Sequence, residues 1–253
     1  MVPGDLRRLR VVRPGECAPG MTPITARWWA SGTIYGMRVD HVVYAAEAEG
    51  LLPTAKRLGE ALGVEPGDSG VHPRFGTRNV ILPLANHRFV EVVEVLDHPA
   101  SDKAPFGQAV RARSEQGGGW LGWVVEVKDM AAAEKLVGRP AAPGNRHRPD
   151  GTEVTWKQLG VKGLMADAQV PFFIEWSGDQ PHPSQIGNSE ADLTAMRIAG
   201  SPERVREWLG LTGEPGVDRE EWEPQIDFDF IAPNGTPGLM SVVFQTQNGT
   251  VEI

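Results

Sequence analysis

The sequence predicts an α+β protein built from a repeated unit, and three observations carry that prediction. The first is a strand with one polar side chain, His41, buried among apolar neighbours, Arg38-Val39-Asp40-His41-Val42-Val43-Tyr44-Ala45. The second is Phe89-Val90-Glu91-Val92-Val93, a further strand with a carboxylate between apolar neighbours. The third is recurrence. Leu121-Gly122-Trp123-Val124-Val125-Glu126 opens a second unit, and Phe172-Phe173-Ile174-Glu175-Trp176 closes it with Glu175 where Glu91 stood. The spacing from His41 to Glu91 nearly equals that from Gly122 to Glu175. A period of this length marks duplicated supersecondary units rather than a solenoid of short repeats. Matching polar positions in two copies suggest one site built between two halves.

Each element has its own signal. Residues 51–63 read as a helix, with Leu51, Leu58 and Leu62 on one face and Gly63 as the stop. Residues 66–76 read as a Gly/Pro-rich loop containing His72-Pro73. Residues 77–84 and 88–95 are strands joined by the tight connection 85–87. Residues 99–119 connect the two units, with a helical turn or two around 108–114. The second unit has a helix near 130–137, where Ala131, Ala132 and Ala133 favour helix, then a polar loop over 138–151 and strands at 154–159 and 172–176. Residues 178–190, with two prolines and His182, form the best linker in the chain. A third, partial unit follows over 190–253. It has a strand at 193–199, a helix at 202–209 opened by Pro202, strands at 226–231 and 239–244, and a closing apolar-Glu-apolar pattern around Glu252.

At 253 residues the chain can bury a real core, as one large domain or two smaller ones. A net charge of −8 with no Lys/Arg cluster argues against nucleic acid as a partner. No apolar run reaches the roughly 18 residues that would span a membrane, so no membrane partner is expected. Cys17 is the single cysteine, which rules out an intramolecular disulfide and a cysteine-rich zinc cage. A cytoplasmic location is the corresponding expectation. Residues 1–36 mix Pro, Gly and Arg without periodicity and lack the apolar core of a signal peptide. They read either as a disordered arm or as a stretch upstream of the start used in the cell. No phosphate-binding glycine loop, nucleophile elbow or HExxH motif appears.

A set of short motifs in fixed order carries a family resemblance over residues 38 to about 184. They are Val39-Asp40-His41-Val42-Val43-Tyr44, His72-Pro73 with Gly76-Thr77-Arg78-Asn79, Arg88-Phe89-Val90-Glu91, Pro105-Phe106-Gly107, Arg148-Pro149-Asp150-Gly151, Pro171-Phe172-Phe173-Ile174-Glu175-Trp176 and His182-Pro183. On these the chain resembles the glyoxalase-like domain proteins of the vicinal oxygen chelate superfamily. The resemblance implies tandem βαβββ modules, over 37–98 and 119–177, whose sheets curl into a half-open barrel around a cleft. It also implies ligands for a divalent metal (zinc, manganese, nickel or iron) at His41, Glu91, Gly122 and Glu175. Gly122 departs from that pattern because it has no coordinating side chain, leaving His41, Glu91 and Glu175 as the metal set.

On this resemblance the expected function is a metal-dependent lyase, isomerase or related enzyme acting on a small oxygenated substrate. Glu91 and Glu175 would serve as proton-shuttling carboxylates. The alternative is a metal-free protein that sequesters a small molecule, favoured by Gly122. Arg78, Asn79, Trp123 and Arg148 are the candidate substrate-binding residues, with His72 also near the pocket. Each has a plainer reading: His41 as a core histidine, Glu175 on a solvated strand face, His72 and His182 as loop residues, Arg148 in a turn salt bridge with Asp150, and the tryptophans as core. The partial third unit would cover a sheet edge or join a second copy in a homodimer.

Overall fold

A computed structural model describes residues 34, 36–178, 180–187, 189–211, 222–223, 225–233 and 235–253. The arm expected over 1–36 and Cys17 lie outside the described residues, apart from positions 34 and 36. The first module comprises β1 (Arg38–Ala45), α1 (Leu51–Leu62), β2 (Ser69–His72), β3 (Thr77–Leu84) and β4 (Arg88–Val95). Helices α2 (Pro99–Lys103) and α3 (Pro105–Glu115) lead to the second, formed by β5 (Gly119–Glu126), α4 (Met130–Val137), β6 (Ala142–His147), β7 (Glu153–Leu159), the short α5 (Gly163–Ala166) and β8 (Phe172–Trp176). The strands join in the order β1-β4-β3-β2-β6-β7-β8-β5 into a closed barrel.

Each module places its first and last strands side by side and parallel, β1 with β4 and β5 with β8. The two seams between modules are unequal. β1 and β5 form a long antiparallel ladder, whereas β2 and β6 meet at the single pair Val71–His147. The expected half-open curl is thus drawn shut at one place.

Helix α1 buries Leu51, Leu58 and Leu62, each contributing roughly 1.5–3 kcal/mol relative to exposure. It stops at Gly63, whose left-handed φ of 67° lets Val64 N–H return to Gly59 O at 2.8 Å. Two stretches that read as loops contain strands. β2 lies within 66–76 and β6 within 138–151. Their glycines are places where a neighbour crosses the backbone rather than turn signals. A Cβ on Gly70 would fall 2.5 Å from Arg146 Cγ, and one on Gly144 would strike the Trp156 indole.

The third unit comprises β9 (Asp192–Ala199), α6 (Pro202–Leu209), β10 (Asp227–Ile231), β11 (Gly238–Thr246) and β12 (Gly249–Glu252). Its sheet runs β10-β9-β11-β12 and does not extend the barrel. It packs on the outer face of β5 and β8, where Trp123 meets Phe228 at 5.7 Å, Trp120 meets Phe244 at 6.3 Å and Phe173 meets Trp208 at 6.0 Å. A buried ion pair, Arg88 Nη2 to Glu223 Oε1 at 2.7 Å, adds a polar tie. Glu252 sits on an exposed face, 3.1 Å from Arg197. Among the described residues no helix is long and apolar enough to cross a membrane.

Candidate functional site

The site begins with an irregularity in β1. Val39 pairs with Val125 and His41 with Val124, so Asp40 is an extra residue in the ladder. Such a bulge breaks the alternation of faces, and the buried side chains of Asp40 and His41 meet, with Oδ2 2.8 Å from Nδ1. A carboxylate can only accept, so Nδ1 carries the hydrogen and Nε2 is left to the pocket. Asp40 Oδ1 holds His182 Nε2 at 2.9 Å and Arg38 Nη2 at 2.8 Å, and Trp176 Nε1 donates to Oδ2 at 3.2 Å. Complete burial alone would raise the Asp40 pKa. The hydrogen bonds and charges of His182 and His41 outweigh it and hold the carboxyl well below its ordinary range.

His41 stacks on Phe89, with ring centroids 4.3 Å apart, and turns Nε2 toward Glu91 Oε2 at 3.8 Å. Glu91 is buried on β4. Its other oxygen accepts from Asn79 Nδ2 at 2.8 Å and lies 3.8 Å from His72 Nε2. His72 Nδ1 is fixed by Thr77 Oγ1 at 2.9 Å. Burial, then the charges of Arg146 and His41, push the His72 pKa down to about 3, so it is neutral at ordinary pH. Two imidazole nitrogens therefore flank one buried carboxylate. Asn79 Oδ1 has no hydrogen-bond partner, an open acceptor in a pocket that Asn79 helps to line.

Arg146 brings positive charge to the same wall. It pairs with buried Asp68, which also accepts from Arg148 Nε at 2.9 Å. Two guanidiniums thus share one aspartate. The rest of the wall is aromatic, from Phe89, Phe106, Trp156, Phe172 and Trp176. Free volume inside is about 30 Å³, room for roughly one or two waters.

The structure gathers only part of the expected constellation. His41, Glu91 and Asn79 converge, and His72 joins them. Glu175 stands outside, because the alternation of β8 turns it outward. There it takes Lys157 Nζ at 2.9 Å and the backbone N–H of Met130 at 2.7 Å; these outweigh its burial and lower its pKa. Gly122 gives no extra room, since a Cβ there would fall 2.5 Å from Leu164 Cδ2. Trp123 is fully buried against the third unit and donates to Gln169 O at 3.0 Å. Arg78 lies on the outer face with Glu94, 2.6 Å away. Arg148 pairs with Asp68 from the other module. Asp150 instead accepts from Thr152 N at 2.8 Å within its own turn.

The metal set His41, Glu91 and Glu175 is therefore not assembled. Among the described residues no group of three or more His, Cys, Asp or Glu side chains is placed to hold a metal, so the donors present do not fit the implied ion. Sequence reading passed over Asp40 and Arg146 as site residues. Two adjacent polar residues inside an apolar strand were the available sign of the bulge. Arg146 gave none, because its strand resembled a loop.

A family model described as a glyoxalase-like domain matches residues 39–212. A hypothetical protein from Staphylococcus aureus superposes with a TM-score of 0.57 at 15% identity, covering 82% of this chain and 90% of that one. Methylmalonyl-CoA epimerase from Mycobacterium tuberculosis gives a TM-score of 0.39 at 13% identity, covering 60% and 94%. A methylmalonyl-CoA epimerase of Streptomyces coelicolor in complex with 2-nitronate-propionyl-CoA gives 0.37 at 16% identity, covering 59% and 100%. At 15% identity the likeness to the Staphylococcus aureus protein is one of fold alone. No curated protein matches the chain.

Proposed function

The chain belongs to the glyoxalase-like domain family of the vicinal oxygen chelate superfamily, and from that premise we propose that its barrel pocket is an acid–base site for a small oxygenated substrate. The reaction class is proton transfer beside a carbonyl, as in an isomerase or a lyase. One observation carries this reading: buried Glu91 faces His41 Nε2 at 3.8 Å, while Asp40 grips the far side of the same imidazole.

Glu91, as a carboxylate, takes a proton from the carbon next to the carbonyl. His41 holds or returns a proton at Nε2, and Asp40 stabilises the imidazolium and sets its tautomer. Neutral His72 supports the carbonyl oxygen, and Asn79 Oδ1 accepts from a substrate hydroxyl. The aromatic wall excludes water, which strengthens each of these interactions. The substrate enters by displacing water and turning aromatic rings. The expected metal has no role in these steps, because Glu175 and Gly122 do not supply its ligands.

Deuterium exchange tests the proposal. Small 2-oxo acids and hydroxyketones are incubated with enzyme in D2O, and proton loss at the α-carbon is followed by NMR. Exchange that survives chelation and is lost in Glu91→Gln and His41→Asn, both still folded by circular dichroism, is the expected result. Exchange lost on chelation, or indifferent to both substitutions, overturns it. The aromatic wall also favours a second reading, a protein that sequesters its ligand. Its signature is stoichiometric binding of a panel compound with no exchange in the wild type.

A further inference from the structure

A second cavity adjoins the barrel pocket. It is an open groove of about 450 Å³ between the β2–β3 turn, the start of α3, the start of β6 and the end of β7, within the usual size range of small-molecule sites. Phe75, Phe106 and Gln158 line both cavities. Phe75 and Phe106 meet edge to face at 5.8 Å and form the partition between them. The groove's apolar lining includes Leu159, Val161 and Pro143, its cations are Arg74, Arg139 and Lys162, and no carboxylate lines it.

The two arginines differ from the rest. Among the described residues the other arginines of the barrel all have a hydrogen bond or ion pair, whereas Arg74 and Arg139 have neither. Glu153, whose carboxylate feels the charge of Arg74, is held by Asn145 Nδ2 at 2.7 Å. In a chain of net charge −8, two free guanidiniums in one carboxylate-free groove form a local anion trap. Guanidinium forks suit carboxylate and phosphate oxygens. The barrel pocket, with its 30 Å³, has no space for anything but the head of a ligand.

We infer that this groove seats the anionic end of a two-part ligand: a carboxylate or phosphate on an apolar stem, bound by Arg74 and Arg139, with the oxygenated head directed past Phe75 and Phe106. The assignment extends the acid–base reading of the barrel pocket to the substrate's tail, yet binding in the groove can be measured without any reaction.

Calorimetry with hexyl phosphate and hexanoate tests it and tells the two anions apart; 1-hexanol and inorganic phosphate remove the charge and the stem in turn. At least one of the two anions should bind the wild type at least tenfold more tightly than hexanol or inorganic phosphate. Arg74→Gln/Arg139→Gln should weaken it at least tenfold, while Arg197→Gln on the third unit's exposed face and Glu91→Gln in the barrel leave it unchanged. Failure of both anions to bind, equal binding of hexanol or inorganic phosphate, or an unaltered affinity in the double variant overturns the inference. Intact binding alongside absent deuterium exchange would fault the barrel reading and leave the groove standing.

Discussion

Asp40 and His41 are consecutive residues of one strand, yet their side chains meet, with Oδ2 2.8 Å from Nδ1. The bulge opposite Val124 and Val125 makes this possible. Asp40 also receives Arg38, Trp176 and His182, so one carboxylate ties His41 to β8 and the segment after it. Asp40→Asn removes the charge and leaves its cationic and imidazole partners uncompensated. The expected loss is on the order of 3 kcal/mol in urea unfolding, together with loss of α-proton exchange. A variant as stable and as active as the wild type would show that Asp40 does not hold the site.

His72 makes a prediction about pH. Its pKa falls from 6.5 to about 3 on folding, so between those values the unfolded chain binds a proton that the folded chain does not. Stability therefore rises with pH across that window and is flat above it as far as His72 is concerned, with a slope of up to ~1.4 kcal/mol per pH unit. Denaturant midpoints from pH 5 to 7, above the range in which the carboxylates of the unfolded chain titrate, should show this slope. His72→Gln should flatten it.

Leu164 occupies the space beside Gly122, where a Cβ would come within 2.5 Å of Cδ2. Gly122→Ala should cost about 1–3 kcal/mol by overpacking. Leu164→Ala should cost about 2–5 kcal/mol by leaving a cavity. The double variant should be less destabilised than the sum, because the new methyl enters the vacated space. Strict additivity in a thermodynamic cycle would contradict the contact.

The two glutamates that looked alike in sequence should part in behaviour. Glu175→Gln loses a surface partner of Lys157 and one backbone acceptor role, and should leave ligand binding and exchange intact. Glu91→Gln should abolish exchange. Equal effects from both would return Glu175 to the site.

Arg88 and Glu223, 2.7 Å apart and both buried, join the barrel to the third unit. Glu223→Gln should lose about 3–5 kcal/mol by leaving a buried guanidinium uncompensated, whereas replacing both residues with methionine should cost less than the single change. Guanidinium chloride melts of the three proteins decide the order.

Much of the fold could be read from residue order. The apolar faces of β1, β4 and α1, the glycine stop at Gly63 and the Pro202 helix start are local signals, because hydrophobic periodicity and backbone permissiveness act within a few residues. His41 and Glu91 stood out for the same reason: polar groups flanked by apolar ones in a strand need a partner. The resemblance carried the paired modules further than periodicity could.

What the tertiary structure decided were the partnerships. Strands β2 and β6 are short, and their glycines serve the passage of Arg146 and Trp156 from elsewhere in the chain, so no local pattern marks them. The bulge at Asp40 belongs to the ladder with β5, more than 80 positions away. Glu91 and Glu175 sit in similar-looking strands, yet both modules pair first and last strands at one spacing, His41 with Phe89 and Val124 with Phe172, which puts Glu175 on the opposite face from Glu91. One meets two imidazoles and the other a surface lysine. Similarity between two strand sequences does not fix which face a side chain takes. Which way a side chain turns, and what meets it there, depends on bulges and on neighbours distant in the chain.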